Sequence, residues 1–297
     1  MSVLRQARAA LEDAGLRGSF LVRDLDTGEE IGIDPDEEYP IASLVKVPLA
    51  VATLERVARG EIDPALPVTI RPEQVTGPGP TGLSKFRHPA TVAVDDLLHL
   101  SMAISDNVAA DTLFALTPPA RVTAELRRLG HDGITVRHLM RDLAATPAAR
   151  FSAEDAHLAQ RLAIDAATSG GGHPVSQLDV SRANSGSARA LADLLHAVWR
   201  PSTVDAGVAG RVRELMGENL LRQRLAPDFA TDSARWSSKT GTLLNLRHEV
   251  GVVEHADGQA FGVVALTESW VPAVVQPGAE AQMAWVARRL RDHLRGR

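Results

Sequence analysis

The sequence predicts a mixed α/β (α+β) fold: one antiparallel sheet built from both chain ends, flanked by the terminal helices, with an all-helical lobe inserted between its halves. Three observations carry this. Strand-type runs gather at residues 19–33 and again at 235–267. Helical periodicity fills the stretch between them and both extreme ends. No internal repeat suggests another organisation, and two distant β regions separated by helices pair most simply as one sheet. The expected organisation is one domain over 1–297. Its sub-lobes are 1–42 plus 202–297 (sheet and terminal helices) and 43–201 (helical lobe).

Residues 1–15 carry Leu4, Ala7 and Leu11 at helical spacing with charged residues between, an amphipathic helix. Residues 19–25 and 29–33 are strands around the turn Asp26-Thr27-Gly28. A buried helix follows Ser43 and ends near Gly60. Pro64, Pro67 and Pro72 mark a loop-rich crossing with a short strand at 68–70. Residues 76–82 form a tight loop whose prolines and missing Gly-Lys-Ser/Thr exclude a phosphate cradle. Helices are expected from Asp95 to Leu100, on to Leu116, and from Val122 to Leu129. Signals weaken over 131–183, apart from a helix at 151–167 and a glycine run at 168–173. Leu191, Leu194, Leu195 and Val198 make a clean helical face, and 204–216 another helix. Residues 235–254 and 260–267 read as strands joined at Asp257-Gly258, before a last amphipathic helix through Met283, Val286, Leu290 and Leu294.

Composition narrows the chemistry. Apolar content of 44% and charged content of 23% fit an ordinary globular protein. A net charge of −5 without a basic run argues against nucleic acid. The chain has no cysteine, which removes disulfides, thiolate metal sites and cysteine nucleophiles. No stretch of 18 apolar residues suggests a membrane span. The first residues do not read as a signal peptide, so the expected compartment is the cytoplasm. The ten histidines show no metal-binding spacing, and no cofactor is expected. The expected partner is a small-molecule substrate met by a monomer.

The chemistry centres on Ser43 and Lys46. Three residues apart on a helix, their side chains share a face. A serine hydroxyl needs a base to become a nucleophile, and a lysine with a lowered pKa can be that base. Ser43 stands at a strand-to-helix junction, where free N–H groups favour developing negative charge. Pro48 makes the following turn an imperfect helix start. Serine at a helix start is ordinarily just a cap. Composition shifts the balance, because the chain has only three lysines, Lys46, Lys85 and Lys239, against 29 arginines. Lysine kept where arginine is the rule suggests a task that needs a titratable amine.

Two further motifs follow in order: Ser105-Asp106-Asn107 between helices and Lys239-Thr240-Gly241 on a late strand. With Ser43-Leu44-Val45-Lys46 they resemble the serine β-lactamase and penicillin-binding-protein superfamily, closest to its class A branch. The resemblance runs over most of the chain and thins over 131–185. It implies that Ser43 attacks a carbonyl, Lys46 takes or relays its proton, and Ser105 passes that proton to the leaving nitrogen. Asn107 would bind the substrate amide and Lys46. Lys239 would supply positive potential for a substrate carboxylate, which Thr240 would bind, while Gly241 would let substrate lie close to the strand. Backbone N–H groups of Ser43 and Thr242 would form the oxyanion hole. Arg247 would assist with the carboxylate, Asp106 would be structural, and Glu249 would end a strand in solvent.

One departure stands out. The Glu-x-x-Leu-Asn of class A enzymes, whose glutamate activates the deacylating water, is missing. Lys46 once it has lost its proton, or an acid from 140–183, with Asp142 and Glu154 the candidates in that order, would have to substitute, and 140–183 is expected to be a mobile cover. The implied activity is therefore a Ser43 acyl-enzyme on a β-lactam or related amide, with deacylation in doubt. The alternatives are a D-alanyl-D-alanine-type peptidase, a sensor that stays acylated, and a non-catalytic relic.

Overall fold

The computed structural model describes residues 2–75, 79–146, 155–168, 171–272 and 275–296. Its centre is a five-stranded antiparallel sheet in the order β2-β1-β10-β9-β8. The strands are β1 (Leu16–Asp24) and β2 (Glu30–Ile33) from the start of the chain, and β8 (Ala234–Leu243), β9 (Leu246–His255) and β10 (Ala260–Ser269) from its end. Leu16 pairs with Ser269 and Asp24 with Phe261, which closes the two chain ends into one sheet. A small sheet joins β3 (Glu38–Pro40), β7 (Ser185–Ser187) and β6 (Ile134–Thr135), and a hairpin joins β4 (Pro67–Ile70) to β5 (Ala90–Ala93).

Side-chain alternation assigns the sheet's two faces. Phe20, Val22, Val253, Val263 and Ala265 join Leu290, Val286 and Leu11 under α1 (Val3–Asp13) and α11 (Pro277–Arg295). Leu21, Val250, Val252, Val264 and Leu266 join the larger core on the other face. That core is built from α2 (Lys46–Ala58), α3 (Val94–Ala103), α4 (Asn107–Leu116), α5 (Pro119–Arg128) and α6 (Met140–Ala144). It also includes α8 (Ala188–Trp199) and α9 (Ala206–Gly217). Because β10 is covered on both faces, its residues 260–266 read as a continuous apolar run. Two short helices, α7 (Ala156–Ile164) and α10 (Ala226–Phe229), complete the fold. Helix α8, counted with the helical lobe in the sequence, packs on β1 and β10 of the sheet.

Several details differ from the sequence reading. Residues 235–254 are two strands, turned at Leu244 and Asn245, with Leu244 at φ 47°. No glycine or proline announces that turn, so a non-glycine residue sits in the left-handed region at some cost. The helix expected over 151–167 is shorter, and residues 151–154 lie outside the described residues. So do 76–78 of the tight loop and 169–170 of the glycine run. Pro48 proves harmless: it is the third residue of α2, where an amide hydrogen has no α-helical acceptor. Every residue of α2 from Lys46 to Glu55 is buried, so this helix is the axis of the molecule.

Candidate active site

Ser43 lies on a single 3₁₀ turn, Ala42–Val45, that leads into α2. Ala42 before it has φ 47°, a strained conformation for a residue with a Cβ. The turn is held by Leu44 N donating to Ile41 O at 2.9 Å and Ile41 N donating to Asn184 O at 2.9 Å. Strand β8 presses against it from the side. A Cβ on Gly241 would stand 3.0 Å from Ile41 O and 3.1 Å from Leu44 Cγ. The glycine of the third motif thus lets the strand approach the nucleophile's turn, a different reason from the substrate approach expected from sequence.

The second motif supplies the connector. Ser105 has φ 58°, and Asp106 caps α4 by accepting from Val108 N at 2.8 Å and Ala109 N at 3.1 Å. The same carboxylate accepts from Leu83 N at 2.7 Å, in line with its expected structural role. Lys46 Nζ donates to Ser105 O at 2.6 Å, Ser105 Oγ at 3.1 Å and Asn107 Oδ1 at 2.7 Å. Lys239 Nζ donates to Ser105 Oγ at 2.9 Å and Thr240 O at 2.9 Å. Residues 59 and 134 positions from Ser105 therefore converge on one hydroxyl. Ser43 makes no side-chain hydrogen bond among the described residues, so its hydroxyl is open to the cleft.

Both lysines are fully buried. Burial pushes Lys46 down to about 7, against the upward pull of Asp106 and Asp111. Burial, then Lys46 and Arg224, push Lys239 well below its ordinary value. An amine at about 7 can hold or release a proton near neutrality, which is what a general base requires.

A cleft of about 310 Å³ opens onto this cluster, lined by Ser43, Ser105, Asn107, Thr240 and Thr242 on its polar side. Its apolar lining comes from Met140, Leu143 and Ala144 of α6 together with Pro80, Ile104, Leu221 and Leu243. No described residue lining the cleft is acidic. Asp142, one candidate for the deacylating base, is exposed and accepts from Leu139 N at 2.9 Å, which caps its own helix. Glu154, the other, lies outside the described residues. Asp111 lies on α4 and lines a separate cavity, with its carboxylate accepting from Met140 N at 2.6 Å and Arg141 N at 2.9 Å. It fixes the first turn of the apolar wall.

Arg247 is nearly buried, and its Nη1 donates to Leu244 O at 2.6 Å and Leu246 O at 2.7 Å. Its guanidinium serves the β8–β9 turn, and Arg247 is not among the residues lining the cleft. Arg224, passed over in the sequence, does not line the cleft either but holds one of its lining residues, Thr242. It donates to Thr242 Oγ1 at 2.6 Å, Gly241 O at 2.9 Å and His248 O at 2.7 Å, and pairs with Glu280 at 2.8 Å. A short irregular stretch before α10 carries it, without periodicity to mark it. His248 is buried and pushed down to about 3 by burial, so it is neutral: it donates to Pro40 O at 2.9 Å and accepts from Thr267 N at 3.0 Å. Glu249, expected in solvent, is fully buried. No group of His, Cys, Asp and Glu among the described residues could hold a metal ion. No described helix is long and apolar enough to cross a membrane.

Comparisons with known proteins agree with this architecture. A β-lactamase regulatory protein, BlaB of Streptomyces cacaoi, is 64% identical over 99% of this chain and 98% of its own length. β-Lactamase L2 of Stenotrophomonas maltophilia is 38% identical over 41% of this chain and 40% of its own. Among solved structures, a variant of the class A β-lactamase of the last common ancestor of Gram-negative bacteria superposes with TM-score 0.80 at 21% identity. It covers 99% of this chain and all of its own. A PBP-A variant, solved as its penicillin G acyl-enzyme, superposes with TM-score 0.77 at 18% identity over 99% and 97% of the two chains. The sequence profile of the beta-lactamase enzyme family matches residues 3–294, and the chain belongs to that family, in the class A β-lactamase fold.

Proposed function

We propose that this protein recognises β-lactams, or amides of similar shape, by forming a Ser43 acyl-enzyme that turns over slowly, and that it serves as a sensor. One observation carries the reading. The groups needed for acylation converge on the cleft, while no described residue lining it carries a carboxylate. The regulatory role of the relative from S. cacaoi supports the same direction.

The acylation chemistry follows from the hydrogen bonds. Asn107 Oδ1 and Ser105 O are pure acceptors, so Lys46 keeps two protons on them. Its third contact, to Ser105 Oγ, can reverse once Lys46 is neutral. Ser105 then donates to the amine and accepts from Lys239 and from the Ser43 hydroxyl. Ser43 Oγ forms a bond to the lactam carbonyl carbon while its proton passes through Ser105 to Lys46. The C–N bond breaks, and the leaving nitrogen takes a proton from Ser105, which Lys46 replenishes. Ser43 N–H and Thr242 N–H serve as the oxyanion hole. Thr240 and Thr242, the latter held by Arg224, face the substrate carboxylate. Hydrolysis of the ester needs a base for water, and losing one slows that step by about 10²–10⁴-fold.

The test is intact-mass analysis during incubation with a penicillin and a cephalosporin. A persistent adduct mapping to Ser43 is expected. Rapid return to the free mass with continued product would make the protein a hydrolase, and no adduct at all would remove the acylation reading.

A further inference from the structure

The turn that carries Ser43 needs holding from outside. Ala42 sits at φ 47°, so the local chain does not favour the conformation that presents the hydroxyl. Asn184 O gives one hold, at Ile41 N. His248 gives a second, from the sheet. It lies directly across the β8–β9 ladder from Gly241, where a Cβ would stand 3.4 Å from His248 Cβ and 3.0 Å from Ile41 O. The residue is fully buried, and Tyr39, also buried, meets its ring edge to face with centroids 6.3 Å apart. The partners settle the tautomer. Thr267 N can only donate, so Nδ1 accepts from it at 3.0 Å, and Pro40 O can only accept, so Nε2 donates to it at 2.9 Å. The backbone of the same residue reaches the strand of the other oxyanion donor. His248 O accepts from Arg224 Nη1 at 2.7 Å, and Arg224 Nη2 donates to Thr242 Oγ1 at 2.6 Å.

We infer that His248 is a positioning residue for acylation: its ring ties β9 and β10 to the Pro40 carbonyl and so sets the nucleophile's turn, and with it Ser43 N–H, at the working distance from Thr242 N–H on β8. The inference rests on the acylation reading and goes further by naming what aligns the two donors. His248 has no proton to move in that chemistry, since both ring nitrogens are spent on backbone groups. Donors slightly misplaced bind the ground-state carbonyl almost as well and the tetrahedral oxyanion worse. The cost of losing the tie therefore falls on the acylation rate constant rather than on the affinity that precedes it.

Two amides separate the ties. The side-chain nitrogen of a glutamine reaches the place of Nε2 and still donates to Pro40 O. The side-chain oxygen of an asparagine takes the place of Nδ1 and serves Thr267 N alone. With benzylpenicillin in stopped flow, His248→Asn should acylate about 10–10²-fold more slowly at saturation, with the preceding dissociation constant little changed. His248→Gln should keep most of the wild-type rate. Equal losses in both variants, or a loss confined to the dissociation constant, would overturn the inference and make His248 a packing residue. If the wild type forms no adduct, amide exchange across residues 41–45 reads the turn directly. Faster exchange in His248→Asn than in His248→Gln would then keep the tie while the acylation reading falls, and equal exchange would overturn the inference. ¹⁵N NMR of the wild-type chain needs no variant: the His248 ring should be the Nε2–H tautomer, and an Nδ1–H ring would overturn the inference.

Discussion

Lys239 Nζ and Ser105 Oγ meet at 2.9 Å although 134 residues separate them. The contact joins the sheet to the helical lobe, and Lys46 completes it from α2 at 3.1 Å. A hydroxyl that accepts from two lysines has its own proton left to donate, and the cleft is where it can go.

Lys46 as the base has a pH signature. Its neutral form is the active one, and its value is about 7, so acylation should rise with pH through about 7 and then level. The same shift makes a stability claim. Between about 7 and its ordinary value of 10.5 the unfolded chain binds more protons at this site, so the Lys46 contribution favours folding increasingly as pH rises through that window. Lys46→Arg should lower acylation at least about 100-fold, since a guanidinium stays protonated. Stopped-flow acylation rates against pH check both. Near-normal acylation in the arginine variant would assign the base elsewhere.

Ser43 as the nucleophile predicts that Ser43→Ala gives no covalent adduct while keeping the wild-type fold by circular dichroism. Peptide mapping of the trapped wild-type adduct should find the added mass on the segment containing Ser43. Mass on any other serine would displace the assignment.

Much of the site was legible because its chemistry depends on side chains that this composition makes rare. Lysine is used three times, and two of those uses meet at Ser105. What was not legible depends on packing. The Leu244–Asn245 turn puts a leucine where glycine would signal a turn, so two strands read as one. Glu249 follows strand alternation like a surface residue, but α10 and its preceding segment cover that face, and burial by a distant segment leaves no local pattern. Arg224 hides among 29 arginines. Arg247, nearer the third motif, drew the attention that its neighbour in space required.

Asp106 should matter to stability more than its solvent-free position between two functional residues suggests. It satisfies three backbone N–H groups, two at the start of α4 and one at Leu83. Asp106→Ala removes an N-cap worth about 1 kcal/mol and orphans a buried donor at about 1–3 kcal/mol more. A loss of about 2–4 kcal/mol in denaturant unfolding is expected from those two terms. Gly82 leaves no room for a substitute, since a Cβ there would lie 2.0 Å from Asp106 Oδ2. A loss under about 1 kcal/mol would mean that water replaces the cap.

The acyl-enzyme's lifetime is the property on which sensor and hydrolase differ, and α6 is where the structure lets it be changed. Met140 is buried, lines the cleft, and has its backbone N–H held by Asp111, so its side chain is directed by a fixed helical turn. The wild-type protein with a chromogenic cephalosporin should give a burst of about one product per active site and then a slow steady state. Met140→Glu introduces a carboxylate among the residues that line the cleft with Ser43. Water attacking the ester carbonyl carbon could then give its proton to that carboxylate, and the acyl–Oγ bond would break as Ser43 regains a proton. The steady-state rate should rise by about 10²-fold or more, the scale of one added general base. The burst should persist, because acylation uses none of α6. Met140→Gln, equal in size but unable to take a proton, should leave the slow phase unchanged. Equal acceleration by both variants would trace the slow step to cavity shape, and a fast wild-type steady state with no burst would show that a base outside the described wall already serves deacylation.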